Sequence, residues 1–305
     1  MIYIFLFLIL FSIIGYFFRV LKNHRNTPAP GSIQARVAAH YKYLQEQGYE
    51  VVAVYLQGSQ NYGLDEYSQE YQSDVDVKAI VLPHFRDFVK GQEPVSTTLV
   101  MENNEHIDVK DIRLMFEMFK KQNLSYLELL FSGYRVVNPK YHKLMAPVYE
   151  NRERIAAANQ VAFAKCAAGM ALEKRKALCH PYPTLLDKIQ KYGFDGKQLS
   201  HCARIADLLD QWMQGIPLEE CYWASNPHIL INFKKQKMGD GSRIMTAEEA
   251  IATCDIYCRI VQDMKEQIIA NAPPIDTGAF DILDDVKYRI LRKKFKEDMN
   301  GFFGK

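Results

Sequence analysis

Two hydrophobic periodicities divide this chain. Val51-Val52-Ala53-Val54-Tyr55-Leu56 is an unbroken apolar, β-prone run, which predicts a buried strand. Asp74, Asp76 and Lys78 then alternate with Val75, Val77 and Ala79 before Ile80-Val81-Leu82, and Pro83 stops the run. A strand has a side-chain period of two, so both carboxylates project from one face while the valines enter the core. Residues 97–101 and 105–109 read as a hairpin around Asn103-Asn104. A helical period governs Ile33 to Gln47, with Val37, Ala38, Tyr41 and Leu44 on one side and Gly48 ending it. It returns over 111–121, where Leu114, Met115 and Met118 share a face, and over the short stretch 124–131. The segment 84–98 is irregular or partly helical. From Pro139 onward the pattern is helical: Arg152 to Leu178, Lys197 to Met213, a helix opened by a Thr246/Glu249 capping box and running to about Ala270, and a last helix from Ile282.

The N-terminus has neither period. Ile2 to Phe18 is almost wholly apolar, and its 17 residues at ~1.5 Å rise reach about 26 Å, near the thickness of a bilayer's hydrocarbon core. Arg19, Lys22 and Arg25 follow at once, and no charged side chain precedes the run. The positive-inside bias then predicts a single-pass membrane anchor over 1–25, with the remainder cytoplasmic. A cleaved signal peptide is the rival, although it usually begins with a basic region. Residues 26–32, with two prolines and a glycine, read as a linker.

Composition narrows the field. Net charge is +2, so any nucleic-acid contact has to come from a local patch. The six cysteines form no Cys-x-x-Cys pair, which argues against a zinc ribbon or redox motif. Cys254 and Cys258, one helical turn apart, read as core packing in a reducing compartment.

The candidate chemistry lies between the first two strands. Gly58 and Ser59 break the first strand at a turn where backbone approaches a ligand closely. Paired carboxylates such as Asp74 and Asp76 repel each other, and a hard divalent cation removes that penalty. The layout therefore reads as a metal-nucleotide site, against the plainer alternative of a solvated strand end. With Gly58-Ser59-Gln60-Asn61-Tyr62-Gly63-Leu64 ahead of Ser73-Asp74-Val75-Asp76, the chain resembles the polymerase-β-like nucleotidyltransferase superfamily, closest to its RNA-ligase-associated group. The likeness extends into 108–113 and 123–130. One departure is the spacer: fourteen residues, Gln60 to Ser73, separate Ser59 from Asp74, slightly more than usual.

The resemblance implies an α+β protein: a small mixed-sheet nucleotidyltransferase core over 33–138, followed by a helical domain over 139–305. It implies transfer of a nucleoside monophosphate from an NTP to an acceptor hydroxyl, with Asp74, Asp76 and Asp108 holding two Mg²⁺ ions. Glu105 is the fallback for the third carboxylate. Gly58 and Ser59 would cradle phosphate. In the helical half Lys197, His201 and Arg204 stack at i, i+4 and i+7, a face that either binds triphosphate or nucleic-acid phosphate or is simply solvated. The resemblance favours the first. The 234–243 segment reads as a mobile basic loop without P-loop order, and the cations of the last helix as a surface that could meet anionic lipid. Partners follow from this: an NTP, RNA as one acceptor among protein and small molecules, and a membrane. A catalytically silent nucleotide sensor or scaffold on the same fold is the rival.

Overall fold

A computed structural model describes residues 30–65 and 73–303. The expected anchor over 1–25, most of the 26–32 linker and the loop 66–72 lie outside the described residues. Among the described residues no helix is long and apolar enough to cross a membrane.

The chain enters through helix α1 (Pro30–Glu46) and turns at Gly48 into strand β1 (Glu50–Leu56). Helix α1 starts three residues before Ile33, inside the stretch read as linker, because proline suits the first turn of a helix, where its missing N–H has no partner to lose. A short 3-10 turn (Ser59–Asn61) leads towards β2 (Val77–Leu82), α2 (Phe85–Val89) and the β3 (Ser96–Val100)–β4 (His106–Asp111) hairpin. Helix α3 (Ile112–Lys120) follows, capped by the Asp111 carboxylate, which accepts from the Arg113 N–H at 2.8 Å. Then come α4 (Leu124–Leu127) and β5 (Arg135–Val137). The sheet order is β3-β4-β2-β1-β5. Strands β2 and β4 are parallel and the other neighbours antiparallel, so the sheet is mixed. The fold is α+β.

Strand β2 begins at Val77, later than the alternation implied. Asp74 to Asp76 are extended but lie outside the regular ladder, because other groups take up their bonds. The Val75 N–H goes to Glu105 Oε1 at 3.0 Å, and the Asp76 carbonyl accepts from the Gln57 N–H at 2.9 Å. The period of two survives: Val75 and Val77 are buried, while Asp74 is exposed and Asp76 half-buried.

The helical half comprises α5 (His142–Glu150), α6 (Arg152–Ala156), α7 (Gln160–Ala177), α8 (Leu186–Tyr192), α9 (Gly196–Met213), α10 (Leu218–Cys221), α11 (Pro227–Lys234), α12 (Ala247–Asn271) and α13 (Thr277–Phe303). The single helix expected over 152–178 is two. The first ends at Ala156, and Asn159 caps the second, its Oδ1 accepting from the Ala162 N–H at 3.0 Å, which outweighs the helix preference of three preceding alanines. Helix α13 starts five residues before Ile282, pinned where Asp276 pairs with Arg154 at 2.6 Å and accepts from the Ala279 N–H. Its cations are largely engaged: Lys287 with Asp284, Arg289 with Asp285, Lys294 with Asp298, and Lys293 on the Lys140 carbonyl. Such pairing leaves less charge for lipid than the sequence implied. The expected basic loop over 234–243 is closed as a hairpin-like turn by a Lys237–Ile244 bridge and by Arg243 on Glu249, while Lys235, Asp240, Ser242 and Arg243 stay exposed.

One face of the sheet packs on α1 through Ile33, Val37 and Leu44. The other face opens into a hydrophobic cluster that continues from Val52 through Phe116 and Leu199 to Ile290, so sheet and helices share it. Helix α9 sits at its centre, against α7, α11 and α12. At its first residue a Cβ on Gly196 would come within 2.1 Å of the Phe233 carbonyl oxygen, and this close approach seats α9 on α11.

Candidate active site

Strand β1 ends at Leu56, and after Gln57 the chain turns at Gly58 with φ +92°, a conformation that side chains disfavour. The turn is held by Asn61, whose Nδ2 donates to the Leu56 carbonyl at 2.8 Å and whose Oδ1 accepts from Ser132 Oγ at 3.0 Å. This places Gly58 and Ser59 beside Asp74 and Asp76. Across from them stands α9, and between the two lies a cleft of about 120 Å³. Its lining includes Gly58, Ser59, Asp74 and Asp76 on the sheet side and Lys197, His201 and Arg204 on the helix side. Residues more than 120 positions apart in sequence thus share one cavity.

The acidic segment is braced from behind. Glu105 is buried, bonds the Val75 N–H, and pairs with Arg36 and with His40 Nε2 at 2.9 Å. It therefore faces α1 and positions the acidic segment, which removes it as the fallback third carboxylate. Asp76 is steadied by the His106 N–H, which donates to Oδ1 at 2.8 Å. Asp108 stands on β4, opposite Lys78 in the parallel register. Its oxygens are engaged by Lys78 Nζ at 3.5 Å, Lys110 Nζ at 3.9 Å and the Tyr126 hydroxyl at 3.4 Å. Asp108 does not line the cleft, and among the described residues the three carboxylates do not converge as a ligand set. Lys78 also donates to Gln57 Oε1 and lies over the Tyr126 ring. Burial lowers its pKa, a pull that Asp108 opposes.

The opposite wall is less basic than its sequence reads. Burial, with Arg204 and Lys197 nearby, pushes the His201 pKa down to about 3, so its ring is neutral. Lys197 and Arg204 supply the charge. Nor is this face solvated at its inner end. Arg204 is 9% exposed, its guanidinium stacks 3.5 Å from the Tyr62 ring centroid, and Nη1 is buried with no hydrogen-bond partner among the described residues. Its electrostatic partner is Glu128, whose carboxyl burial raises to about 8 against the pull of Arg204 and a hydrogen bond from Gly58.

Lys234, from the segment read as a basic loop, joins the basic wall. Sequence reasoning missed Ser200 beside it and the place of Tyr62, which separates the cleft from a second cavity of about 370 Å³. That cavity is lined by Tyr62, Phe131, Tyr134, Tyr222 and Trp223, with Glu128 among them. Tyr222 is 3% exposed and its hydroxyl has no partner among the described residues. No sequence signal connects 62, 131 and 222, because three separate elements bring them together.

No protein-family profile matches the chain, and no curated protein matches it. Among solved structures it is similar to a nucleotidyltransferase-like protein from Exiguobacterium sibiricum 255-15, at a TM-score of 0.28 and 9% identity, over 77% of this chain and 75% of that one. A likeness at that level carries no inference.

Proposed function

We propose that the protein is a metal-dependent nucleotidyltransferase that moves a nucleoside monophosphate from an NTP to an acceptor hydroxyl, releasing pyrophosphate. The observation behind this reading is the unpartnered Nη1 of buried Arg204, set in the same cleft as Asp74 and Asp76. A buried charged donor without an acceptor is costly, and an arriving phosphate oxygen relieves that cost. The carboxylates across the cleft would repel the same phosphate unless a cation accompanied it. An acidic and a basic wall around one cavity therefore suit a phosphate bound together with a divalent metal.

Asp74 and Asp76 fit the metal: one is exposed, the other keeps Oδ2 clear of the His106 bond, and carboxylate oxygen suits Mg²⁺. The bound metal would supply charge neutralisation at the phosphates. The second ion of the family scheme depends on Asp108, which would have to release Lys78. On this reading Asp74 and Asp76 are the holding pair, while Asp108 keeps Lys78 in place. Arg204 and Lys197 bind phosphate oxygens. His201, as a neutral ring, contributes a hydrogen bond rather than charge. Because Glu128 occupies the Gly58 N–H, the phosphate turn rests mainly on Ser59. The base enters the aromatic cavity beyond Tyr62, where a planar ring gains by stacking. An RNA end is the acceptor that the family likeness favours, and a membrane location through residues 1–25 belongs to the same proposal.

Incubating the full chain with each α-labelled NTP, Mg²⁺ and mixed RNA or protein tests it. Label transfer with matching pyrophosphate release is the expected result. Nucleotide binding without pyrophosphate would mean the catalytically silent sensor, and neither binding nor release would remove the reading.

A further inference from the structure

Behind the basic wall of the cleft, α9 and α12 bring three thiols together. Cys202 follows His201 directly on α9, and Cys254 and Cys258 sit one turn apart on α12. All three are buried. The Cys202 and Cys258 sulfurs are 3.6 Å apart, and all three lie within 4.8 Å of one another. Among the described residues this is the one group of three or more metal-ligating side chains so converged. A central ion with metal–sulfur bonds of about 2.3 Å holds three coplanar sulfurs about 4.0 Å apart, so the trio matches with little helix movement.

Donor chemistry and charge select the ion. Three sulfurs away from water exclude Mg²⁺ and Ca²⁺, which need oxygen. Structural zinc takes four ligands, and no fourth His, Cys, Asp or Glu joins the group. Once zinc is set aside, soft sulfur donors select Cu(I). One thiolate formed on coordination and a single positive charge leave the buried trio neutral, which limits the desolvation cost. We propose that Cys202, Cys254 and Cys258 bind one thiophilic monovalent cation of the Cu(I) class, clamping α9 to α12 behind the nucleotide cleft. Each thiol that ionises on coordination releases its proton to solvent.

The test is anaerobic competition of the reduced full chain with a chromophoric Cu(I) chelator. One equivalent should move to the protein, with a thiolate-to-copper band in the near ultraviolet and a higher melting temperature. Cys254→Ser and Cys258→Ser should each weaken capture at least 100-fold while circular dichroism stays unchanged, and Cys166→Ser and Cys179→Ser should not alter it. No capture by the wild type, or capture that survives both α12 substitutions, overturns the site. If those variants fail to fold, X-ray absorption of the copper-loaded wild type decides instead: three sulfur neighbours support the trio, and fewer, or any nitrogen or oxygen neighbour, refute it.

Discussion

The two walls of the cleft are built on opposite principles. The sheet side offers an exposed and a half-buried carboxylate on an extended segment, held by backbone bonds and by Glu105 from behind. The helix side offers a guanidinium withdrawn from water and stacked on Tyr62, beside a Glu128 carboxyl that burial keeps protonated. Exposed carboxylates exchange water for a ligand at little cost, so their worth lies in the charge they bring to the bound state. A buried guanidinium has already given up its water, so its open donor is a standing preference for an anion. One wall is recruited by the ligand; the other is prepared for it.

The largest expected effect comes from the recruited wall. Asp76→Asn keeps shape but loses charge, and transfer should fall by ~10²-fold or more, the scale for losing one electrostatic group in an active site. Labelled-nucleotide turnover beside an unchanged circular dichroism spectrum checks it, and near-normal turnover would remove the metal pair as assigned. Asp108→Asn sharpens the contrast between neighbouring strands. Because Asp108 already serves Lys78 and Lys110, its loss should cost about tenfold, toward the lower end for one charge-assisted hydrogen bond. A loss as deep as that of Asp76→Asn would show that Asp108 leaves Lys78 and joins the metal.

On the prepared wall, Arg204→Ala should weaken NTP affinity by roughly 1.5–3 kcal/mol, the range for a hydrogen bond to a charged group. Arg204→Lys should recover part of that, since lysine lacks the planar fork and stacks poorly on Tyr62. Titration of the nucleotide against both variants measures it. Unchanged affinity with weaker, less salt-dependent acceptor binding would reassign the wall to RNA.

The smallest effect concerns Glu128 and reads out in stability. Its folded pKa of about 8 stands above the ordinary 4.5, so between those values the folded state holds a proton that the unfolded state has lost. Stability from this group is therefore complete below pH 4.5 and declines as pH rises towards 8. Glu128→Gln should flatten that decline, with a melting temperature a few degrees above wild type at pH 8. Parallel melting curves for the two proteins across pH 5 to 8 would contradict the assignment.

The sequence by itself determined the local geometry. Alternation over 74–79 announced which side chains face together, the apolar run 51–56 announced a buried strand, and Asp111 and Thr246 announced helix starts. These outcomes depend on a few adjacent residues and on backbone period, so they are written locally. Spacing also aligned Lys197, His201 and Arg204. Only the tertiary structure decided what that alignment is worth, because burial neutralises His201 and strips Arg204 of water, and burial depends on the elements that pack around α9. The same holds for Glu105, which the family resemblance offered as a fallback ligand and α1 claims as a brace. It holds again for Tyr62, Phe131 and Tyr222, and for the three thiols. Each is set by contacts between distant segments, and no periodicity along the chain encodes the distance between two elements that meet only after folding.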